Sequence, residues 1–298
     1  MSLTPEVRLV RYRPYVPYLF IAPMLLGLIL FRLGPMLVSL AASFTDWNII
    51  SAPTWLGLRN YREMLSSAAF WEVLGNTSLY ALFYVPGVMI LGLALAVLVN
   101  QRLPGSTFFR GFFFLPYITS TVAVALVWKW IFATRFGLLN ALLHAVGVDD
   151  PPSWLGDADY ALVSVAVVAV WQHAGFQMLL FLAGLQNIDD GLREAARIDG
   201  ATEFQIFRRI TLPLLSPVTF FILIISLIAS SQTFEVTYAL TGGGPQRAST
   251  TLAFYIYQNA FVHFRMGYAS ALAYVLLTLV GTITLVNFAL RRRWVSYG

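Results

Sequence analysis

Cysteine is absent from the 298 residues, and lysine occurs once, as Lys129. The first absence excludes disulfide frameworks and thiolate metal sites. The second excludes a phosphate-cradling Gly-x-x-x-x-Gly-Lys-Ser/Thr loop, because Lys129 follows Trp128. Charge is scarce too: 11% of the residues are charged, against about 25% in an ordinary soluble domain. A water-soluble globule, a disordered chain and a coiled coil all need more. His144, His173 and His263 are isolated and lack metal-ligand spacing. No Gly-x-Ser-x-Gly nucleophile elbow occurs. The chain therefore reads as non-catalytic, with neither a metal site nor a cofactor of its own.

What the chain has is apolar length. Hydrophobic residues make up 58%, and the mean hydropathy is +0.73. A bilayer core about 30 Å thick needs about 20 apolar helical residues. Six such runs lie near 16–44, 76–99, 109–132, 160–184, 214–236 and 266–290. They are too long for barrel strands and do not alternate, so helices are expected. The predicted class is an all-α polytopic membrane protein of about six spans. Twelve of the 19 basic residues fall on the side that holds both termini, six on the other, and Arg32 falls within a span. This bias predicts a cytoplasmic N-terminus over 1–15 and a cytoplasmic tail over 291–298, with Arg291–Arg293 as the stop. Arg32 is expected to snorkel toward the outer headgroups. Arg8 to Arg13 resemble the charged leader of a signal peptide, but the run that follows is too long and holds Pro23, Arg32 and Pro35.

Outer segments are expected at 45–75, 133–159 and 237–264, the last with Gly242-Gly243-Gly244-Pro245. Phe136 to Val146 reads as a short amphipathic surface helix. The polar inner loop 185–213 reads as helix-turn-helix. Asp189 or Asp190 caps one helix, Gly200 ends it in the left-handed conformation, and Thr202 caps a second. Leu192, Ala195, Ala196 and Ile198 give the first helix an apolar face, and small Ala195 and Ala196 let another surface approach closely. Arg208 and Arg209 are expected at the C-terminal end of the second helix.

This loop carries Glu194-Ala195-Ala196, Asp199-Gly200-Ala201 and Ile210-Thr211-Leu212-Pro213. The series resembles the signature of inner-membrane permease subunits of ATP-binding-cassette importers. Ser43-Phe44-Thr45-Asp46-Trp47, Phe114-Leu115-Pro116, Gly175-Phe176 and Leu240 to Pro245 look like the carbohydrate-uptake branch, of maltose and glycerol-phosphate type. The resemblance implies a five-helix core with a peripheral extra helix, in the bacterial plasma membrane. It implies a second homologous permease, two cytoplasmic ATPase subunits that bind ATP and Mg, and a periplasmic or extracellular solute-binding protein met by the outer loops. Membrane lipid surrounds such a chain, and nucleic acid has no part. Glu194, Ala195, Ala196, Asp199 and Gly200 would form the element that docks on the ATPase and couples ATP closure to alternating access.

Polar groups inside spans mark the candidate substrate site. Ser226, Ser230 and Thr233 recur at i, i+4 and i+7, which puts them on one helical face. Tyr117 and Thr121 share a face beside Pro116, a kink candidate. Trp171, Gln172, His173 and Phe176 follow in the next run. Hydroxyl, amide and imidazole groups suit sugar hydroxyls, and aromatic rings suit the C–H face. The expected cargo is a mono-, di- or oligosaccharide. Glycerol-3-phosphate, a glycerophosphodiester or a polyol is the runner-up; a phosphorylated cargo should attract Arg or Lys to the pathway, and the spans offer little beyond Arg32. Ser and Thr in membrane helices also serve as helix glue. From another class, an ion-coupled secondary transporter would need internal repeats and a carboxylate relay, and only Glu235 is there for it.

Overall fold

The computed structural model describes residues 15–101 and 105–293. Arg8, Arg11, Arg13 and Arg102 therefore lie outside the described residues, as does most of the expected C-terminal tail. Helices account for every regular element among the described residues: α1 (Val16–Leu28), α2 (Gly34–Ala42), α3 (Arg59–Ser66), α4 (Ala68–Asn100), α5 (Ser106–Ile118), α6 (Thr121–Ile131), α7 (Leu138–Ala145), α8 (Ala158–Gln186), α9 (Asp190–Ile198), α10 (Glu203–Ile206), α11 (Leu212–Leu214), α12 (Ser216–Ser231), α13 (Glu235–Leu240), α14 (Leu252–Tyr257) and α15 (Met266–Leu290).

Four stretches are long and apolar enough to cross a membrane alone: Tyr18–Ala42, α4, α8 and α15. Two further crossings are bent. Between α5 and α6 the axis turns by 95°, and between Glu203–Leu214 and α12 by 65°. The kink anticipated at Pro116 thus becomes a full break at Thr119–Ser120. Pro116 sits in the last turn of α5, where its carbonyl accepts a bond from Thr119 N at 3.3 Å. The expected run 214–236 also stops early, at Ser231, and Glu235 opens a separate short helix.

Following the crossings in order puts the α9–α11 loop at the same end as Gln101, Gly105 and Arg291–Arg293. The 43–67, 132–157 and 232–265 segments sit at the opposite end. α7 is the short surface helix expected there. π-helical turns interrupt the pattern at Ile29–Leu33, Phe207–Thr211 and Gln258–Val262.

The centre is α4 against α8. Tyr80, Tyr84 and Val88 meet Val165, Ala166 and Ala169, with Val124 of α6 and Val236 of α13 closing one end. Ala96, Met178, Phe181, Leu215 and Ile222 close the other. Gly175 lets α8 touch the α5 backbone: a Cβ there would overlap the carbonyl oxygen of Phe113. Small residues at such crossings let helices gain packing that lipid cannot supply. Met64, Phe70, Leu252 and Leu272 join α3, α14 and α15 to the start of α4. The α1–α2 span stays outside this core, and no residue of its most apolar stretch is buried. α2 leans on α15, where the Tyr274 hydroxyl donates to the Met36 carbonyl.

Candidate functional site

The loop of α9 and α10 is closed by local chemistry. The Asp189 carboxylate accepts from Gly191 N at 2.9 Å and caps α9. Gly200 has φ +82°, the left-handed conformation that favours glycine. Gly200 N donates to Arg197 O at 3.0 Å and Ala201 N to Ala196 O at 2.9 Å, a Schellman pair that satisfies the last carbonyls. Thr202 and Gln205 form a reciprocal capping box: Gln205 N donates to Thr202 Oγ1, and Thr202 N to Gln205 Oε1. Across the turn Arg197 grips Glu203 with Nε at 2.7 Å and Nη2 at 3.3 Å. That bond lowers the pKa of Glu203 and raises that of Arg197.

Glu194, Ala195, Asp199 and Gly200 are exposed, and Ala196 is half-buried. Ile198 of α9 is 87% exposed and Phe204 of α10 69%, so the apolar face expected on α9 packs on this chain only in part, at Ala196. Its neighbours inside the molecule are polar anchors instead: Arg193 Nη2 donates to Leu185 O at 3.3 Å. The second helix does not end near Arg208 and Arg209. These two lie in the π-helical turn, and the helix runs on to Leu214.

In the membrane-spanning region the expected residues separate into three places. Tyr117 and Phe176 stack at 4.7 Å, and His173 meets the Tyr117 ring edge-on at 5.9 Å. His173 Nδ1 lies 3.0 Å from the Tyr84 hydroxyl, and Tyr84 stacks on Tyr80. Tyr117 is 38% exposed, with His173 and Phe176 half-buried. This cluster therefore offers ring faces, an imidazole and a phenol to whatever adjoins it. Tyr84 had no part in the sequence reading; its spacing of four from Tyr80 inside an apolar run was the available signal.

Gln172 and Thr121 do something else. Gln172 is buried, and its amide donates to Thr119 O at 3.3 Å and to Thr121 Oγ1 at 3.2 Å. It satisfies the carbonyl that the α5–α6 break frees, which is a staple rather than a ligand-facing position. Trp171 points away from the cluster. It meets Trp128 edge-on at 5.5 Å in a cleft of about 520 Å³, with Leu91, Phe112, Phe113 and Val127 among its walls. Such apolar walls leave sugar hydroxyls without partners.

The third group also departs from its expected face. Ser226 and Ser230 are fully buried. Ser226 accepts from Gln177 Nε2 at 3.4 Å, while Ser230 donates to Leu227 O at 2.8 Å. Thr233 lies beyond the end of α12, so the i, i+4, i+7 face is broken before it is complete. All three hydroxyls serve helix packing or backbone bonding here.

Residues 88–294 match the family model described as "Binding-protein-dependent transport system inner membrane component". The chain belongs to this family. It is the permease component of an ATP-binding-cassette importer, a multi-pass protein of the inner membrane that leaves ATP hydrolysis to another subunit. A probable ABC transporter permease protein of Bacillus subtilis is 41% identical over 94% of this chain and 91% of its own length. A trehalose/maltose transport system permease protein of Thermococcus litoralis is 35% identical over 92% of this permease and 93% of its own length. Among solved structures, a chain of a bacterial alginate ABC transporter, in complex with an alginate pentasaccharide-bound periplasmic protein, aligns with TM-score 0.83 at 23% identity. That alignment covers 95% of this chain and 96% of the other. The likeness places this permease in the same fold.

Proposed function

We propose that the chain forms one half of a sugar-translocation pathway, beside a second permease of like fold, with two ATPase subunits beneath it. In this reading the α9–α11 end faces the cytoplasm, in keeping with the excess of arginine there. Glu194, Ala195, Ala196, Asp199 and Gly200 dock on the ATPase, and their exposure on a locally closed loop supports that role. The solute-binding protein meets the opposite end; the alginate transporter of like fold is likewise in complex with a periplasmic protein.

The observation that carries the sugar class is the half-open cluster of Tyr117, His173 and Phe176. Aromatic faces pair with the C–H face of a pyranose, while imidazole and phenol groups exchange hydrogen bonds with its hydroxyls. The cluster holds no Arg or Lys for a phosphate. The trehalose/maltose relative supports the same class. Trp171, Gln172, Ser226, Ser230 and Thr233 leave the proposed binding set, and Tyr84 joins it through His173.

The test uses the purified complex in nanodiscs with its solute-binding protein and a panel of sugars and glycerophosphodiesters. One sugar should stimulate ATP hydrolysis, and Tyr117→Ala or His173→Ala should weaken that stimulation at unchanged protein yield. Stimulation by a glycerophosphodiester alone would overturn the sugar class. Stimulation by sugar that survives both substitutions would move the site to the partner permease.

A further inference from the structure

The rings of Tyr117, His173 and Phe176 are backed by a pair of tyrosines in the core. Tyr80 and Tyr84 stand about one turn apart on α4, and their rings stack at 5.5 Å with planes 10° apart. Both are buried, at 1% and 2% exposure, in one core cluster with Val85, Val88 and Val165. Tyr84 meets the His173 ring edge-on at 5.7 Å. Its hydroxyl lies 3.0 Å from His173 Nδ1 and has no other partner among the described residues. Close packing holds the Tyr84 ring, so its hydroxyl is a fixed point to which His173 adapts.

One proton decides what this contact does. A neutral imidazole carries a hydrogen on one nitrogen and a lone pair on the other, and the bond made by one sets the character of the other. If Nδ1 held the hydrogen and gave it to Tyr84, the phenol's own hydrogen would be stranded in the core without an acceptor. If Tyr84 donates to Nδ1, only a phenol lone pair goes unpaired. Stranding a buried donor is the costlier of the two. Turning the imidazole over would put a carbon in the place of Nδ1 and leave the buried hydroxyl with no bond at all. Tyr84 is therefore the donor, and the imidazole hydrogen sits on Nε2. That nitrogen has no partner among the described residues, and it is not enclosed. His173 is half-buried, so Nε2–H is a donor left on the open side of the cluster, where the Tyr117 ring lies at 5.9 Å.

We propose that Tyr84 is a positioning residue, which locks His173 in the Nε2–H form so that the site meets its sugar with a hydrogen-bond donor. The inference rests on the sugar reading given above and sharpens it. The cargo atom that seats against His173 must accept. A hydroxyl, ring or glycosidic oxygen qualifies, whereas an ammonium group carries hydrogens only and is turned away. The Tyr117 and Phe176 rings, stacked at 4.7 Å, stand beside that donor. A donor fixed in advance costs no reorientation when cargo arrives. Tyr84 touches no cargo, because it is buried.

The test begins with nitrogen NMR of the whole complex in nanodiscs, carrying isotope-labelled histidine and free of added sugar. The signal missing from His173→Gln belongs to His173. Its Nδ1 should resonate as an unprotonated, hydrogen-bonded nitrogen and its Nε2 as a protonated one. Tyr84→Phe, which keeps the ring and its stack, should move Nδ1 to the free unprotonated position or mix in the other tautomer. A protonated Nδ1 in the unsubstituted complex overturns the inference, and so does a signal that Tyr84→Phe leaves unchanged. A second arm reads sugar-stimulated ATP hydrolysis in a double-mutant cycle. Tyr84→Phe should lower it about three- to tenfold, the effect of one hydrogen bond, at unchanged yield. Adding Tyr84→Phe to His173→Ala should lower it no further than His173→Ala alone. Losses that multiply would show Tyr84 acting through packing, which overturns the inference and leaves the sugar site in place. Full stimulation in His173→Ala takes the sugar site and the donor role away together.

Discussion

Gly200 separates backbone handedness from side-chain bulk in the proposed docking loop. Its φ is +82°, and a Cβ built there meets no atom of this chain within 4 Å. Steric conflict inside the permease therefore contributes nothing to a Gly200→Ala change. What remains is the left-handed conformation, which costs a Cβ-bearing residue about 1–2 kcal/mol. That corresponds to a shift of about 5- to 30-fold between the closed turn and its open alternatives. Asn tolerates the same conformation far better. The caps at Asp189 and Thr202 do not depend on Gly200, so the flanking helices persist and only their mutual angle relaxes. The assay is substrate-stimulated ATP hydrolysis by the reconstituted complex, normalised to assembled protein. Gly200→Ala should assemble normally and lose about 5- to 30-fold in stimulated activity where docking demands the closed turn. Gly200→Asn should retain most of it. Full activity in Gly200→Ala would refute the argument, and so would equal losses in Ala and Asn, which would make bulk at the docking surface the cause.

Gln172→Leu removes the amide that holds Thr119 O and Thr121 Oγ1, and each part-buried bond lost costs about 0.5–1.5 kcal/mol. The detergent-solubilised permease should melt several degrees lower, and an unchanged melting curve would mean that the break needs no staple. Gly175→Leu should abolish monodisperse protein, because even a Cβ overlaps the Phe113 carbonyl oxygen; normal yield would show that α5 can retreat. The Glu203 carboxylate is depressed by Arg197, so its contribution is complete above the ordinary value of 4.5 and is lost as pH falls through the lower folded value. Loop protection in hydrogen exchange should therefore be flat from pH 6 to 8 for this pair. A difference between Glu203→Gln and the unsubstituted chain that titrates within that window would contradict the assignment.

The sequence was most readable where structure is local. The Asp189 cap, the Gly200 turn and the Thr202 capping box each involve residues no more than a few positions apart. The six apolar crossings were readable as lengths, because hydrocarbon thickness sets them. Their interruptions were readable only in part. Pro116 marked a kink in the run 109–132, but the chain breaks fully at Thr119–Ser120, and the group that makes the break tolerable is Gln172 in a different helix. Direction within the membrane was equally hidden. Trp171 and Gln172 are chain neighbours, but one lines an apolar cleft and the other is a buried staple. The regular spacing of Ser226, Ser230 and Thr233 presumed a helix that in fact stops at Ser231. Helical periodicity tells which residues share a face, while the neighbouring helices decide what that face meets.

The bond from Tyr274 to Met36 spans 238 residues. The α1–α2 segment leaves the ribosome long before α15, the helix it leans on, has been made. It must therefore wait alone in the bilayer, where its surface is apolar apart from Arg32. A chain interrupted before Tyr274 would still insert this segment and hold its outer end through Asn60, but it would lack the tie at Met36.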